Sequence, residues 1–313
     1  MLYLGGLLGL ALAGLMVDAF SAGSDQMGDE DEAGDSDEWL HVSVDQDPDA
    51  SPAAPAKPEA SQTEPGETFD GAEDMDAVMG GPGHDVIRGG GGDDELCGGL
   101  GNDTIEGGDG NDWVQGDGAY GEGGDDVIYG GAGDDLLAGQ GGDDLICGDG
   151  GEDILFGGEG NDTLFGGAGN DILAGNDGDD LLISTEGADD LDGGRGNDVL
   201  IGHDGPETVW MNGGEGNDTL MPGAHDFASG NDGADTFVLR QVSEGFPTIA
   251  DFNADDDQIV LHLNEDVARD AQLALRQDDD GTWLLELNGS PVGRLLQSGG
   301  LQVQDVRIIP VRS

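Results

Sequence analysis

Aspartate recurs every nine residues through the middle of this sequence, and its carboxylate is the group there best suited to chemistry. The repeating unit reads G-G-x-G-x-D-x-U-x, where U is a large aliphatic residue, as in GGLGNDTIE (98–106) and GGAGNDILA (166–174). Aspartates stacked about 5 Å apart, the spacing of neighbouring strands, repel one another. Ca²⁺ accepts about six to eight oxygens from carboxylates and carbonyls, so the pattern predicts Ca²⁺ between successive turns. The candidate metal ligands are the aspartates at the sixth position of the unit: Asp85, Asp94, Asp103, Asp112, Asp126, Asp135, Asp144, Asp153, Asp162, Asp171, Asp180, Asp189, Asp198, Asp218 and Asp235.

The other positions of the unit predict the elements that carry these aspartates. The first six residues are expected to form a turn and the last three a very short strand. One large aliphatic residue in nine cannot bury itself alone, but stacked strands merge such residues into a continuous apolar spine. Glycine at this density disfavours a helix. The Asn or Asp before the aspartate, as in Asn102, Asn111 and Asp143, is a residue type that tolerates left-handed backbone.

Seventeen units fit between residues 71 and 238. Insertions are expected at 116–120, 211–212 and 222–229, and the units at 71–79, 184–192 and 202–210 are degenerate. In the last of these Glu207 takes the place of the aspartate and Val209 that of the aliphatic residue. The strongest metal sites are expected in the uninterrupted run from 121 to 201.

The charge of the chain limits its partners. With 69 acidic and 9 basic residues, the formal net charge is −60. This excludes electrostatic capture of nucleic acid and argues against docking on anionic lipid, since both need Lys and Arg. A folded chain with this charge repels itself unless counter-ions form part of the fold.

The units resemble the RTX nonapeptide repeats of secreted bacterial proteins, a known Ca²⁺-binding β-helix pattern. The resemblance covers about half of the chain. It implies an all-β, right-handed parallel β-roll with two units per turn, in which each Ca²⁺ is shared by aspartates two units apart, such as Asp162 with Asp180. Because n continuous units give n − 2 sites, it implies roughly 8–15 Ca²⁺ ions. The segment TFVLRQV followed by TIADFNADDDQIVLHL resembles the strand-rich cap of serralysin-like proteins, whose C-terminus carries a type I secretion signal.

Four segments are expected along the chain. Residues 1–20 are an apolar membrane anchor or signal peptide, and 21–70 an acidic, Pro/Ala-rich disordered linker. The β-roll occupies 71–238, and 239–313 form a β-rich cap with seven apolar runs typical of strands. The protein is expected outside the cell, or membrane-anchored with the β-roll outside the cytoplasm; in either case the N-terminal segment can contact the membrane. Cys97 and Cys147 are expected to be unpaired and to lie on opposite sheets.

Three classes of function remain open: a Ca²⁺-dependent structural or surface protein, an adhesin or matrix component, and an enzyme. None of the five histidines forms H-E-x-x-H, and no G-x-S-x-G is present, so a non-catalytic protein is expected. An adhesin would take a cell-surface or polysaccharide partner. The irregular stretches GDGAY (116–120) and MPGAHDFA (221–228) are the predicted places for such a site.

Overall fold

The computed structural model of the protein describes residues 66–118, 123–241 and 244–311. The predicted N-terminal segment (1–20) and most of the predicted linker (21–70) lie outside these residues. Among the described residues, no helix has the length and apolar character needed to cross a membrane.

Successive repeats send their strands alternately to two sheets, so that each turn of the chain adds one strand to each. The first sheet has 12 strands and the second has 13. In spatial order, the first contains β1 (Thr68–Asp70), β3 (Val86–Gly91), β5 (Thr104–Asp109), β7 (Val127–Ala132), β9 (Leu145–Gly150), β11 (Thr163–Ala168), β13 (Leu181–Ile183), β15 (Val199–Ile201), β17 (Thr219–Met221), β19 (Thr236–Arg240), β21 (Gln258–Asn264) and β25 (Arg307–Val311). The second contains β2 (Ala77–Met79), β4 (Glu95–Gly99), β6 (Trp113–Asp117), β8 (Leu136–Gly141), β10 (Ile154–Glu159), β12 (Ile172–Asp177), β14 (Asp190–Arg195), β16 (Trp210–Glu215), β18 (Phe227–Asp232), β20 (Thr248–Ile249), β24 (Ser290–Leu295), β23 (Trp283–Leu287) and β22 (Leu273–Gln277).

Neighbouring strands of the repeats pair in parallel with a register of two units. In β11, for example, Leu164 lies beside Ile146 on one side and Leu182 on the other. The aliphatic residues at position eight therefore stack in one row per sheet, and both rows face the interior, where these side chains are fully buried. Each such side chain contributes about 1.5–3 kcal/mol on burial. The expected parallel β-roll is confirmed.

The strands are longer than the three residues expected from the repeat. Many span six residues, because pairing continues from position seven through the first three residues of the next unit, as in Leu145–Gly150. Along this strand Ile146 and Gly148 point inward and are buried. Glycine at position one thus belongs to the strand interior, and the true turn is confined to positions four to six.

Asn and Asp at position five do not use the left-handed backbone that these residue types tolerate. The non-glycine residues with positive φ in the repeats lie at position two: Gln140, Asp149, Asn176 and Asn231. Position-five side chains instead form ladders on the outside of the turns. The side chain of Asp143 accepts the N–H of Asn161 at 2.7 Å, and the side chain of Asn161 accepts the N–H of Asp179 at 2.9 Å.

Beyond the repeats the parallel stack continues and is then closed. All seven apolar runs of the tail form strands, from β19 to β25. β21 and β25 extend the first sheet in parallel, whereas β24, β23 and β22 end the second as an antiparallel meander. A short helix α1 (Glu265–Arg269) and a 3₁₀ turn (Val303–Asp305) complete this end. The cap core is continuous with that of the repeats through Phe237 and Phe252, whose ring centroids are 6.2 Å apart.

The two cysteines lie on opposite sheets, as expected. Cys97 is in β4 of the second sheet and Cys147 in β9 of the first. Both are free and half-buried.

Candidate metal centre

The position-six aspartates form two columns, one at the start of the strands of each sheet. Within a column, the backbone N–H of each aspartate donates to Oδ1 of the aspartate one turn further on. The N–H of Asp144 lies 2.8 Å from Oδ1 of Asp162, whose own N–H lies 2.7 Å from Oδ1 of Asp180. The first-sheet column contains Asp85, Asp103, Asp126, Asp144, Asp162, Asp180, Asp198, Asp218, Asp235 and Asp257. The second-sheet column contains Asp76, Asp94, Asp112, Asp135, Asp153, Asp171 and Asp189.

All fifteen predicted ligands thus lie in one of two columns, and aspartates two units apart are direct neighbours. The side chains are buried; Asp162, for example, is only 1% exposed. The backbone fixes one oxygen of each carboxylate and directs the other to the inside of the turn.

The second carboxylate oxygen is the feature that points to a metal. Twelve of these aspartates have a buried Oδ2 with no hydrogen-bond partner: Asp94, Asp103, Asp112, Asp126, Asp135, Asp144, Asp153, Asp162, Asp171, Asp180, Asp198 and Asp218. An unpaired buried acceptor costs about 1–3 kcal/mol, and more if it is charged. Because it recurs at the same atom in twelve repeat units, the unpaired oxygen indicates a set of cation-binding positions.

The surroundings of Oδ2 contain oxygen and glycine backbone. A Cβ added to Gly130 would lie 2.4 Å from Oδ2 of Asp135 and 2.9 Å from the carbonyl oxygen of Gly148 in the next turn. Glycine at position one therefore leaves a small space that a carboxylate oxygen and a carbonyl oxygen both face. An all-oxygen set of this kind fits Ca²⁺ and does not favour the softer metals that prefer Cys and His.

Side chains alone do not complete a metal site. Within the described ranges, no three His, Cys, Asp or Glu side chains come together as a metal cluster. The repeated carbonyls of the turns must therefore supply the remaining ligands, since a Ca²⁺ ion accepts more oxygens than two carboxylates offer.

The columns are electrostatically strained without a cation. Burial raises the pKa of Asp126 to about 8 and that of Asp153, Asp162 and Asp198 to about 7. Neighbouring carboxylates raise the pKa of Asp162 further, whereas the hydrogen bond from the N–H of Asp144 lowers it. Near neutral pH these four carboxylates therefore favour either a bound proton or a bound metal ion.

The second-sheet column is interrupted after Asp189, and the predicted roles of Glu207 and Val209 were wrong. Met211, not Val209, pairs with Leu191 at the buried position of the strand. Val209 consequently occupies position six, where no carboxylate is available. Oδ2 of Asp189 instead accepts the hydroxyl of Ser184, which replaces the usual glycine at position one. In this repeat unit a hydroxyl of the chain itself therefore pairs with the Oδ2 that is left unpaired in most other units.

Three carboxylates were missed, of which Asp226 and Asp117 are buried and Asp257 is partly buried. Asp226 belongs to the stretch predicted as an insertion (222–229), which in fact forms a turn and β18; its Oδ1 accepts the N–H of Val209 at 3.1 Å and its Oδ2 that of Gly223 at 2.6 Å. Asp257, in the cap, extends the first-sheet column and accepts the N–H of Asp235 at 3.0 Å. Both could have been found from the sequence, because each is an aspartate two positions before an apolar strand residue, as in the repeats.

Asp117, the third, lies where the chain leaves the roll at the expected insertion (116–120). Its Oδ1 accepts the N–H of Gly124 at 3.1 Å and its Oδ2 that of Gly141 at 3.2 Å. The carboxylate thereby links the two sides of the insertion. Part of that predicted partner site, from residue 119 onward, lies outside the described residues.

The repeats match a family of known calcium-binding sequences. A family model described as the RTX calcium-binding nonapeptide repeat (4 copies) matches residues 70–105, 98–119, 120–155, 148–182 and 183–220. No curated protein sequence matches the chain. Among solved structures, the extracellular lipase LipA from Serratia marcescens matches with 19% identity and a TM-score of 0.18, over 73% of this chain and 40% of the lipase chain. The chain thus spans less than half the length of that lipase. Residues 70–220 therefore consist of RTX calcium-binding nonapeptide repeats, and these repeats support Ca²⁺ binding.

Proposed function

We propose that this protein is a Ca²⁺-dependent structural or surface protein that acts outside the cytoplasm and folds when it binds Ca²⁺. The unpartnered Oδ2 atoms of the aspartate columns carry the proposal. Twelve repeat units each bury a carboxylate oxygen that the polypeptide leaves unpaired, so at a pH where these carboxylates are ionised a bound cation is needed to stabilise the columns.

The chain's own groups prepare these positions. The N–H of the preceding turn holds Oδ1, as between Asp144 and Asp162, and this fixes the direction of Oδ2. Glycine at position one gives the carboxylate room, and carbonyls of the next turn lie close by. Bound Ca²⁺ would supply positive charge and would accept these oxygens as ligands. With up to about 15 ions, about half of the net charge of −60 would be offset.

This dependence links folding to location. Extracellular Ca²⁺ modules typically bind with dissociation constants of about 10⁻⁴–10⁻³ M, far above cytosolic Ca²⁺. The chain would therefore remain unfolded before export and fold outside by mass action. The absence of the two hydrolase motifs from the sequence supports a non-catalytic role, as do position-six carboxylates already assigned to Ca²⁺.

Small-angle X-ray scattering with cell fractionation tests this proposal. The radius of gyration should decrease between chelator and about 5 mM Ca²⁺, in the range of extracellular modules. Fractionation with N-terminal sequencing should place the mature chain outside the cytoplasm. An unchanged radius would contradict calcium-dependent folding, and a cytoplasmic mature chain would contradict the proposed location.

A further inference from the structure

A shallow, open groove on the outer face of the second sheet lies away from the aspartate columns. It crosses four neighbouring strands, β12, β14, β16 and β18, and has a volume of about 620 Å³. Three strand spacings of about 4.8 Å make it roughly 14 Å long in the direction of the stack. Its lining includes Asp192, Asn212 and Asn231, with Arg195 and Glu215.

An aromatic pair lies beside the groove. Trp210 is two residues before Asn212 on the same face of β16, and its register partner in β18 is Phe227. The two ring centroids are 4.9 Å apart and the rings are tilted by 37°. Trp210 is nonetheless 53% exposed, which is uncommon for a residue that gains so much from burial. Trp210 therefore presents an aromatic surface to solvent, and its contact with Phe227 holds the ring in place.

The polar side chains of the groove are held in place by one another. Nδ2 of Asn212 donates to Oδ1 of Asp192 at 2.9 Å, and Nδ2 of Asn231 donates to Oδ1 of Asn212. Arg195 bridges to Asp177 at 2.7 Å and to Glu215 at 3.9 Å. Each amide and carboxylate still has a further donor or acceptor available. The groove thus offers a fixed row of hydrogen-bonding groups next to an aromatic face.

We propose that this groove binds an extended, neutral glycan chain. Sugar rings have an apolar C–H face that packs on an aromatic ring, and hydroxyls that donate to carboxylates and accept from amides. The groove is long enough for several sugar units. The strongly negative charge of the protein disfavours acidic glycans, because they would be repelled. The inference rests on the proposed function insofar as the groove exists only in the folded β-roll.

Isothermal titration calorimetry of the full-length protein in millimolar Ca²⁺ tests the proposal, with cellohexaose, mannohexaose and fully N-acetylated chitohexaose as probes. At least one of these neutral hexasaccharides should bind. Trp210→Ala should weaken that binding by about tenfold or more, which corresponds to about 1.4 kcal/mol. Asn212→Ala should weaken it as well, because it removes a polar contact without touching the aromatic pair.

Trp113→Ala is the matched control. Trp113 is 46% exposed and occupies the same outward column of the second sheet, in β6, outside the groove. Its loss should leave glycan affinity unchanged. If the folded, Ca²⁺-loaded protein binds none of the three probes, or if Trp113→Ala weakens binding as much as Trp210→Ala, the glycan groove is wrong while the proposed function stands. If circular dichroism shows no folding in Ca²⁺, the proposed function and the groove both fail.

Discussion

Replacing Asp162 with asparagine should change the stability of the β-roll in opposite directions with and without Ca²⁺. Oδ1 of Asp162 accepts the N–H of Asp144 at 2.8 Å, and its buried Oδ2 has no partner. The amide oxygen of asparagine can still accept that hydrogen bond. The substitution therefore leaves the column intact and removes one buried charge and one metal-binding oxygen.

With Ca²⁺ bound, the variant should be less stable. Asp162 lies between Asp144 and Asp180, so its loss weakens two neighbouring Ca²⁺ positions. At about 10 mM Ca²⁺ and a dissociation constant near 10⁻⁴ M, each occupied position stabilises the fold by about 2.7 kcal/mol. The expected loss is therefore up to about 5 kcal/mol.

Without Ca²⁺, the variant should be more stable. Burial raises the pKa of Asp162 to about 7. Measured against an ordinary aspartate, keeping this carboxylate ionised at pH 8 costs at most about 4 kcal/mol. The buried NH₂ group of asparagine offsets about 1–3 kcal/mol of that gain. A net stabilisation on the order of 1–3 kcal/mol remains.

Two series of folding experiments measure the change in stability with and without Ca²⁺. Urea unfolding in about 10 mM Ca²⁺ gives the loss, and folding induced by trimethylamine N-oxide in chelator at pH 8 gives the gain. Glu159→Gln removes an equal charge from an exposed position nearby and should have little effect in either series. Equal destabilisation by Asp162→Asn with and without Ca²⁺ would show instead that this residue acts only through packing and does not bind Ca²⁺.

Three further outcomes are expected. In chelator, β-structure measured by circular dichroism should increase as the pH falls from about 8 to about 5. The pKa values of the buried aspartates are raised in the folded chain, so in this range the folded chain binds more protons than the unfolded chain and loses stability as the pH rises. A β-structure content that does not change with pH would contradict this. Gly157→Ala should raise the Ca²⁺ concentration at the midpoint of folding, because its Cβ would lie 2.2 Å from Oδ2 of Asp162. Gly81→Ala, whose Cβ would have nothing within 4 Å, should leave the midpoint unchanged. Equal midpoints for the two variants would show that the space beside Oδ2 is not needed for Ca²⁺ binding. Val209→Asp should increase the number of Ca²⁺ ions bound per chain, measured by equilibrium dialysis, because it places a carboxylate at position six beside Asp226. An unchanged number would show that the hydrogen bond from Ser184 to Asp189 keeps this part of the column from binding Ca²⁺.

The regular part of the molecule was predictable because its constraints are local and repeated. A nine-residue spacing with one aliphatic residue per unit leaves few ways to bury that residue, and the buried rows from Ile87 to Leu200 follow the pattern. The strands of the cap were recognisable as apolar runs bounded by turn residues. Asn288 and Gly289, in the NGSP segment between two of these runs, adopt positive φ, as a tight turn requires.

The irregular part depended on choices that the sequence leaves open. Val209 and Met211 are both apolar and only two residues apart, so either could continue the buried row; pairing with Leu191 selects Met211 and shifts the register. That shift turns an apparent insertion into a repeat turn with Asp226 in the sixth position. Asp257 was hidden for a different reason, since the spacing from Asp235 is 22 residues and not 18.

A Ca²⁺ titration followed by far-UV circular dichroism shows whether the aspartate columns fold only with a bound cation. Starting in chelator at pH 8, the spectrum should change cooperatively from unfolded to β-rich as Ca²⁺ passes about 10⁻⁴–10⁻³ M, and Mg²⁺ at the same concentrations should not reproduce the change, because Mg²⁺ demands a rigid octahedral site and retains its water. A spectrum that is already β-rich in chelator and does not change with Ca²⁺ would contradict the account, since the aspartate columns would then be stable without a cation.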